Sequence, residues 1–225
     1  MYYNKYRDVK VIKLLQFSGG FMEQEKMIEE LIQLMKSLLN IELNPEDVKQ
    51  LLLLANMKMF KKNDIILGMG EESKYTGFVW RGIIRSYYLD EQGNDITKNF
   101  HTENYLFMDE GLVGYITSTC AYEALEDSTV LLFPTNQIKE EIMGSESLKN
   151  LYLASLEWGI RYKLQRENTF LTCNATERYQ IFKKEYPNLI DRVKQSYIAT
   201  YLGITPESLS RIRRTLRDNS GSINN

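Results

Sequence analysis

The sequence predicts an α+β protein in which a β-roll lies between N-terminal helices and a long helix that leads to a C-terminal helix-turn-helix. Three observations predict this class. Apolar residues recur at helical spacing near both ends of the chain, short β-type runs fill residues 57–133, and two short helices flank a glycine turn within residues 196–216. Short strands at regular spacing are typical of a sandwich or a roll.

The composition is that of an ordinary globular protein, but the charge is unevenly distributed. The chain has 225 residues, of which 43% are hydrophobic and 26% charged, and its net charge is −2. Residues 161–217 carry twelve Lys and Arg against five Asp and Glu, whereas the remainder carries 16 basic and 25 acidic residues. A basic C-terminal segment on an acidic body favours a nucleic-acid-binding end. No apolar run reaches the roughly 18–20 residues of a membrane span, so we expect no membrane partner.

Cysteine and histidine are so sparse that several classes of site are excluded. The chain contains only Cys120, Cys173 and His101, too few for a disulfide framework, a structural zinc site or an iron–sulfur cluster. We therefore expect no metal and a cytoplasmic location. An enzyme on a jelly-roll barrel would need a metal triad or a nucleophile–base pair, which one histidine hardly allows, so we expect a protein that is not an enzyme.

Residues 1–21 differ from the rest of the chain. They are rich in Tyr and Lys and end in Ser18-Gly-Gly-Phe21, directly before Met22. A Ser-Gly-Gly codon run can encode a purine-rich ribosome-binding sequence ahead of a start codon. We therefore expect Met22 to be the native start and residues 1–21 to be a disordered extension or upstream sequence translated in error. A genuine N-terminal arm is the alternative.

Helices are predicted on both sides of the strand-rich region. Amphipathic spacing indicates a helix over residues 23–39, and Asn44 is the N-cap of a second helix that begins at Pro45. A short helix over residues 136–143 precedes a long helix over residues 145–168. Between them, strands are expected at residues 57–60, 64–67, 75–80, 83–89, 96–101, 105–108, 119–123 and 128–133.

The long helix is apolar on two faces and therefore needs two partners. One stripe consists of Leu148, Leu151, Ser155, Trp158 and Tyr162, and the other of Leu153, Leu156 and Ile160. We expect one face to cover the β-roll of its own subunit and the other to meet a second subunit. The first stripe is assigned to the dimer helix. Burial of the whole helix within one monomer is the alternative.

The C-terminal segment has the most specific pattern in the chain. The first helix has an apolar face formed by Ile198, Ala199 and Leu202. Gly203 supplies a left-handed turn, and Thr205 is the N-cap of a helix that begins at Pro206. The second helix has apolar residues Leu209, Ile212 and Leu216 on one side and polar residues Glu207, Ser208, Ser210, Arg211, Arg213 and Arg214 on the other. This pattern is typical of a DNA-binding helix-turn-helix, whose second helix enters the major groove. An ordinary αα-hairpin is the alternative.

With helices, a β-roll, a long helix and a helix-turn-helix in this order, the chain resembles the Crp/Fnr family of bacterial transcription regulators over about residues 22–217. The resemblance is carried by residues 198–214, Ala175-Thr-Glu-Arg-Tyr179, Phe60-Lys-Lys-Asn-Asp-Ile-Ile66, Trp80-Arg-Gly-Ile-Ile-Arg85 and Ala124-Leu-Glu-Asp127. It implies a cyclic-nucleotide-binding-like β-roll, a double-stranded β-helix, that acts as the sensor. The implied domains are a sensor at 22–144, a dimerisation helix at 145–168, a helix-turn-helix domain at 169–217 and a polar tail at 218–225.

The resemblance also assigns roles on the recognition helix. Glu207 and Arg211 fall where the family reads base edges, and Ser208 lies beside them. Glutamate can accept from cytosine N4, and arginine can bind guanine O6 and N7. Phosphate contacts are assigned to Thr205, Ser210, Arg213 and Arg214. The implied partners are double-stranded DNA and a second copy of the chain, with RNA polymerase as a further candidate.

Residues 108–122, which correspond to the family's ligand-binding segment and are called the ligand cassette here, depart from the family pattern. Members that bind cyclic nucleotides hold the phosphate with an Arg and the ribose with a Glu. Here Glu110 takes the ribose position, but the Arg position falls on about Thr119, and residues 108–122 contain no Lys or Arg. We therefore expect no cyclic AMP, and an effector that is unknown or absent. The candidate pocket residues are Glu110, Thr119, Cys120 and Tyr122. The alternative function is a ligand-binding or protein-interaction module that has lost sequence-specific DNA binding.

Overall fold

A computed structural model describes the backbone of residues 21–221, so the predicted N-terminal extension (apart from Phe21) and residues 222–225 lie outside the described part of the chain. Within that part, the helices are α1 Phe21–Leu39, α2 Pro45–Leu54, α3 Thr135–Gly144, α4 Glu146–Thr172, α5 Ala175–Glu185, α6 Gln195–Tyr201 and α7 Pro206–Gly221. The strands are β1 Asn56–Phe60, β2 Ile65–Leu67, β3 Tyr75–Arg81, β4 Ile84–Leu89, β5 Asp95–His101, β6 Leu106–Phe107, β7 Ala121–Ala124 and β8 Ser128–Pro134. A 3-10 helix, Asp109–Val113, follows β6.

The predicted α+β class is confirmed, and each expected strand lies within two residues of its predicted bounds. The strands form two four-stranded sheets with the orders β1-β8-β3-β6 and β2-β7-β4-β5. Both sheets contribute to one apolar core, which consists of Val79, Ile84, Phe107, Met108, Cys120, Tyr122, Ala124, Val130 and Leu132. Alternation along each strand turns these residues to the inside of the roll.

The chain divides into two compact units, the first of which contains α1, α2, α3 and α4 as far as Gln165. As predicted, the Asn44 side chain accepts a hydrogen bond at the start of α2, from the Glu46 N–H at 2.9 Å. The Ser145 hydroxyl just before α4 donates to Asp47 on α2 at 2.5 Å. The beginning of α4 is therefore fixed to the N-terminal helices of its own subunit.

The stripe assigned to the dimer helix packs in part against the N-terminal helices of its own unit, and its role in dimerisation stays a prediction. Leu151 packs against a cluster formed by Ile28, Leu43 and Val48. Leu148, one turn earlier on the same face, is 1% exposed. The Ser155 hydroxyl donates to the Leu151 carbonyl, and the Trp158 and Tyr162 rings stack on each other. The first residues of this stripe therefore belong to the interior of the subunit.

The second unit contains residues 57–132 together with the chain from Arg166 onward. Its helix α5 begins with the capping box expected at Asn174 and Glu177. The long helix α4 continues to Thr172, beyond the predicted end, and α7 continues to Gly221, so that residues 218–221 of the predicted tail are helical. The domain boundaries expected from the sequence stay predictions. None of the helices in residues 21–221 is long and apolar enough to cross a membrane.

Candidate nucleic-acid interface and effector site

The helix-turn-helix is formed by α6, a turn at Gly203, and α7. Gly203 has a φ of +66°, which is the left-handed conformation that the sequence predicts there. The Thr205 hydroxyl oxygen accepts from the Ser208 N–H at 3.2 Å, so Thr205 is the N-cap of α7. Four apolar residues of the motif are almost fully buried: Ile198, Ala199, Leu202 and Leu209.

The opposite face of α7 is exposed and polar. Glu207, Ser210, Arg211 and Arg214 are exposed, and Ser208 is half-buried. Arg211 Nη2 donates to the Ser208 hydroxyl at 3.1 Å, so a neighbour one turn earlier orients the guanidinium. Arg214 Nε lies 4.0 Å from the Asp218 carboxylate. The helical period places Glu207 and Arg211 one above the other, where both can reach one groove.

Arg213 is separated from this exposed row. Its side chain lies beside the apolar face of α7 and is half-buried. Its charge acts on the Tyr179 hydroxyl, whose pKa burial raises and Arg213 partly lowers. The phosphate role assigned to Arg213 therefore stays a prediction, with a geometry less open than that of Arg214.

Glu207 is ionised at neutral pH. Hydrogen bonds from its own backbone amide and from the Thr205 side chain lower the pKa of its carboxyl. An ionised, exposed carboxylate at the start of the helix can accept from an exocyclic amine, and Arg211 offers a fork of donors one turn later. The face therefore presents both an acceptor and a donor to base edges.

The candidate effector site is a cluster around the buried carboxylate of Glu110. That carboxylate accepts from Ser118 Oγ at 2.9 Å, from Thr119 Oγ1 at 2.5 Å and from the Thr119 N–H at 3.1 Å. Cys120 Sγ lies 3.7 Å from it. The structure thus brings together three of the four residues that the sequence suggested. The fourth, Tyr122, packs in the apolar core of the roll together with Cys120, to which its side chain is hydrogen-bonded.

Lys98 is the residue of this cluster that sequence reasoning missed. Its Nζ atom donates to Glu110 Oε1 at 2.9 Å and lies 3.4 Å from Cys120 Sγ. In the register of β4 against β5, Ser86 pairs with Asn99 and Tyr87 with Thr97, so Lys98 is the extra residue of a β-bulge. Counted from Phe100, simple alternation would place Lys98 on the same face as Phe100, and the bulge places it on the opposite face, towards Glu110.

The ion pair between Lys98 and Glu110 is strongly stabilised. Burial opposes the charge on Glu110, but the hydrogen bonds from Thr119, Lys98 and Ser118 and the charge of Lys98 outweigh it and lower the pKa of Glu110 to about 2. Burial also opposes the charge on Lys98, whose pKa is nevertheless raised by Cys120 and Glu110. Burial raises the pKa of the Cys120 thiol, which is therefore protonated at neutral pH.

The cluster does not fit a cyclic nucleotide held in the family's manner. Both oxygens of Glu110 already accept from donors of the same chain, so the carboxylate is not available to a ribose hydroxyl. The segment 108–122 supplies no cation for a phosphate, and Lys98 is already paired with Glu110. Within residues 21–221, no group of three or more His, Cys, Asp and Glu side chains is placed to hold a metal ion.

The sheet that carries Lys98 also contacts α5 and α6. Phe100 on β5 lies 5.5 Å, between ring centroids, from Tyr201 on α6 and 6.1 Å from Phe182 on α5. The guanidinium of Arg85 on β4 is fully buried and lies 3.7 Å from the Tyr197 ring centroid on α6. Two carboxylates neutralise Arg85: Asp95 at 2.9 Å and Glu123 at 3.2 Å.

Comparison with known proteins agrees with this architecture. Residues 57–145 match the family model of the cyclic nucleotide-binding domain. FixK2 from Bradyrhizobium japonicum has a similar structure, with a TM-score of 0.66 and 22% identity over 74% of this chain and 86% of that chain. A CRP-family transcriptional regulator from Thermus thermophilus has a TM-score of 0.57 and 23% identity over 72% of this chain and 85% of that chain. The c-di-GMP-responsive global regulator CLP from Xanthomonas campestris has a TM-score of 0.64 and 10% identity over 79% and 93% of the two chains. The sequence has no match among curated proteins.

Residues 57–145 thus resemble a cyclic nucleotide-binding domain, although their ligand cassette is altered. Over 72–79% of its length, the chain has the fold of these three solved structures, and the order of elements that the resemblance implies is confirmed.

Proposed function

We propose that this protein is a sequence-specific DNA-binding regulator of transcription that acts as a homodimer. The observation that carries the proposal is the exposed face of α7, where Glu207 and the Ser208-oriented Arg211 stand one turn apart on a complete helix-turn-helix. Two of the solved structures with the same fold are described as regulators, which supports it. A chain that had lost DNA binding would have no need for this basic, exposed face.

Different residues of the helix-turn-helix contact the bases and the phosphates of the DNA. Glu207, Ser208 and Arg211 read base edges, and each good bidentate contact contributes about 1–3 kcal/mol of discrimination. Thr205, Ser210 and Arg214 contact phosphates and fix the register, with Arg213 at the edge of this set. Because two copies present two recognition helices, the site is two-fold symmetric, with half-sites about one helical turn apart. RNA polymerase is a further proposed partner on the strength of the resemblance alone.

The sensor roll acts without a cyclic nucleotide. Its Glu110 is neutralised by Lys98 of the same chain, so an effector either displaces this pair or is not needed. Both cysteines are free in the described chain, which suits a cytoplasmic regulator.

The test is selection of binding sites from a randomised pool of DNA duplexes with the full chain. We expect a two-fold-symmetric consensus. Arg211→Ala should abolish preference for that consensus and leave weak non-specific binding, at a cost of roughly 1–3 kcal/mol in affinity for the selected site. Arg161→Ala, which removes an exposed arginine of α4, is the matched control and should bind like the wild type. Failure of the wild type to enrich any sequence would favour the interaction module that has lost DNA binding.

A further inference from the structure

We infer that Arg166 and Arg178 are positioning residues that fix the recognition helix, a conclusion that rests on the DNA-binding function proposed above. Neither lies on α7. Arg166 is in the last part of α4, and Arg178 is in α5. Both guanidinium groups bind backbone carbonyls at the end of α6, immediately before the turn that directs α7.

Each of the carbonyl groups from Ala199 to Leu202, at the end of α6, accepts a hydrogen bond. The Ile204 N–H donates to the Ala199 carbonyl at 3.1 Å, and the Gly203 N–H donates to the Thr200 carbonyl at 3.1 Å. This pair of bonds, with Gly203 in the left-handed conformation, is a Schellman motif. Neither bond uses the carbonyls of the next two residues, Tyr201 and Leu202.

The two arginines donate to these two carbonyls. Arg166 Nη2 donates to the Tyr201 carbonyl at 2.9 Å, and Arg178 Nε donates to the Leu202 carbonyl at 3.0 Å. Arg178 Nη1 also donates to the Cys173 carbonyl at 2.8 Å, just after α4. A positive charge at a helix C-terminus is further favoured by the helix dipole. Arg178 thereby ties the α4–α5 junction to the turn of the helix-turn-helix.

Phe170 of α4 lies close to both guanidinium groups and to the turn. The guanidinium carbons of Arg166 and Arg178 lie 5.0 and 5.1 Å from its ring centroid. A Cβ atom built on Gly203 would be 2.9 Å from Phe170 Cε1, so the ring packs directly against the turn. We name Arg166, Phe170 and Arg178 the turn clamp.

The turn clamp affects the recognition of bases because it fixes the direction of α7. Thr205, the N-cap of α7, comes only two residues after Gly203, so the turn sets the direction of the helix that carries Glu207 and Arg211. Hydrogen bonds to base edges need defined distances and angles, whereas attraction to phosphates tolerates small displacements. Loosening the turn should therefore reduce discrimination between sequences more than total affinity.

The experiment compares full-length variants on two duplexes, the site selected with the wild type and a scrambled duplex of equal composition, at several salt concentrations. Arg178→Met and Arg166→Met keep most of the aliphatic stem and remove the donors. We expect each to lower the ratio of the two affinities roughly tenfold or more, without changing the slope of affinity against salt. Arg178→Lys, which restores one donor and the charge, should recover part of the ratio.

Arg214→Met is the matched comparison, because Arg214 is an exposed arginine assigned to phosphate. It should weaken binding to both duplexes equally and reduce the salt slope by about 1. A clamp variant that behaved in this way would touch DNA directly, which would overturn the inference. An unchanged affinity ratio in both clamp variants would overturn it as well.

Amide hydrogen exchange of Gly203 and Ile204, measured without DNA, separates this inference from the proposed function. Exchange should be faster in Arg178→Met than in the wild type, and no faster in Arg214→Met. A wild type without sequence preference would overturn the proposed function. A wild type that prefers its site, with turn exchange unaltered by Arg178→Met, would overturn the positioning role alone.

Discussion

Glu110 carries a buried charge whose partners all belong to the same chain. Its carboxylate is bound by Lys98, Ser118 and Thr119, which together outweigh the desolvation of the ion. In a buried pair, the removal of one partner leaves the other charge uncompensated, so the two side chains depend on each other. The position that the resemblance assigns to a ribose ligand is occupied here by an internal ion pair.

This pair predicts a specific dependence of stability on pH. The pKa of Glu110 is lowered from 4.5 to about 2 in the folded chain. Its contribution is therefore fully present above about pH 4.5 and is lost as the pH falls from there towards 2. Glu110→Gln should be about 2–3 kcal/mol less stable than the wild type at pH 7, a difference that shrinks as the pH falls below 4.5.

Urea unfolding at a series of pH values measures this difference. Glu72→Gln is the control, because Glu72 forms an exposed ion pair with Lys74 at 3.1 Å. That variant should stay within about 0.5 kcal/mol of the wild type at every pH. A stability difference between Glu110→Gln and the wild type that did not change between pH 7 and pH 3 would rule out this account of the ion pair.

At the scale of single elements, β5 contacts both α6 and the Glu110 cluster. Thr97 and Phe100 contact α6, whereas Lys98 faces Glu110. The bulge at Lys98 allows neighbouring residues to serve these two directions. The Lys98–Glu110 pair and the contact with α6 therefore share one strand.

The contact between β5 and α6 can be measured with a double-mutant cycle. The Thr200 hydroxyl donates to Thr97 Oγ1 at 2.9 Å and accepts from the Thr97 N–H at 3.2 Å. Thr97→Val and Thr200→Val, singly and combined, should give a coupling energy of about 0.5–1.5 kcal/mol in urea unfolding. The same cycle between Thr97 and the exposed Thr215 should give none. A coupling of zero for Thr97 and Thr200 would mean that α6 and the sheet do not dock in this way.

The elements that the sequence predicted well are those fixed by local chemistry. The Asn44 and Asn174 caps, the Gly203 turn and the Thr205 cap all depend on residues within a few positions of one another. The bulge at Lys98 was missed because it arises from pairing with another strand, which periodicity along one strand does not reveal. For the same reason, the sequence placed Glu110 and Thr119 in one site but not the cation between them.

Long-range packing also determines which partner each of the two faces of α4 meets. Both stripes are apolar in sequence, so the pattern indicated two partners without saying which face meets which. Packing of Leu151 against the α1 and α2 helices settles one face. The apolar side chains on the opposite face are exposed: Leu153 by 56%, Ile160 by 58% and Leu164 by 60%.

At the scale of the whole molecule, the charge distribution restricts the proposed DNA binding to one region of the chain. The net charge of −2 gives no general attraction to DNA, and the basic residues are concentrated between 161 and 217. One recognition helix with few phosphate contacts supplies only part of the affinity of a specific site. Two copies joined by an interface therefore explain how this chain would read DNA at useful affinity.

We propose that this interface forms through Leu153, Ile160 and Leu164, which recur at intervals of seven and four residues along α4. Such spacing is that of a helix pair packed side by side. Ile160→Glu places a charge in the seam of both subunits at once, and we expect roughly hundredfold weaker dimerisation by sedimentation equilibrium. Trp158→Glu, on the opposite face, should lower stability and leave the dimer intact. If Trp158→Glu dissociated the subunits and Ile160→Glu did not, the seam would lie on the stripe that the sequence first suggested.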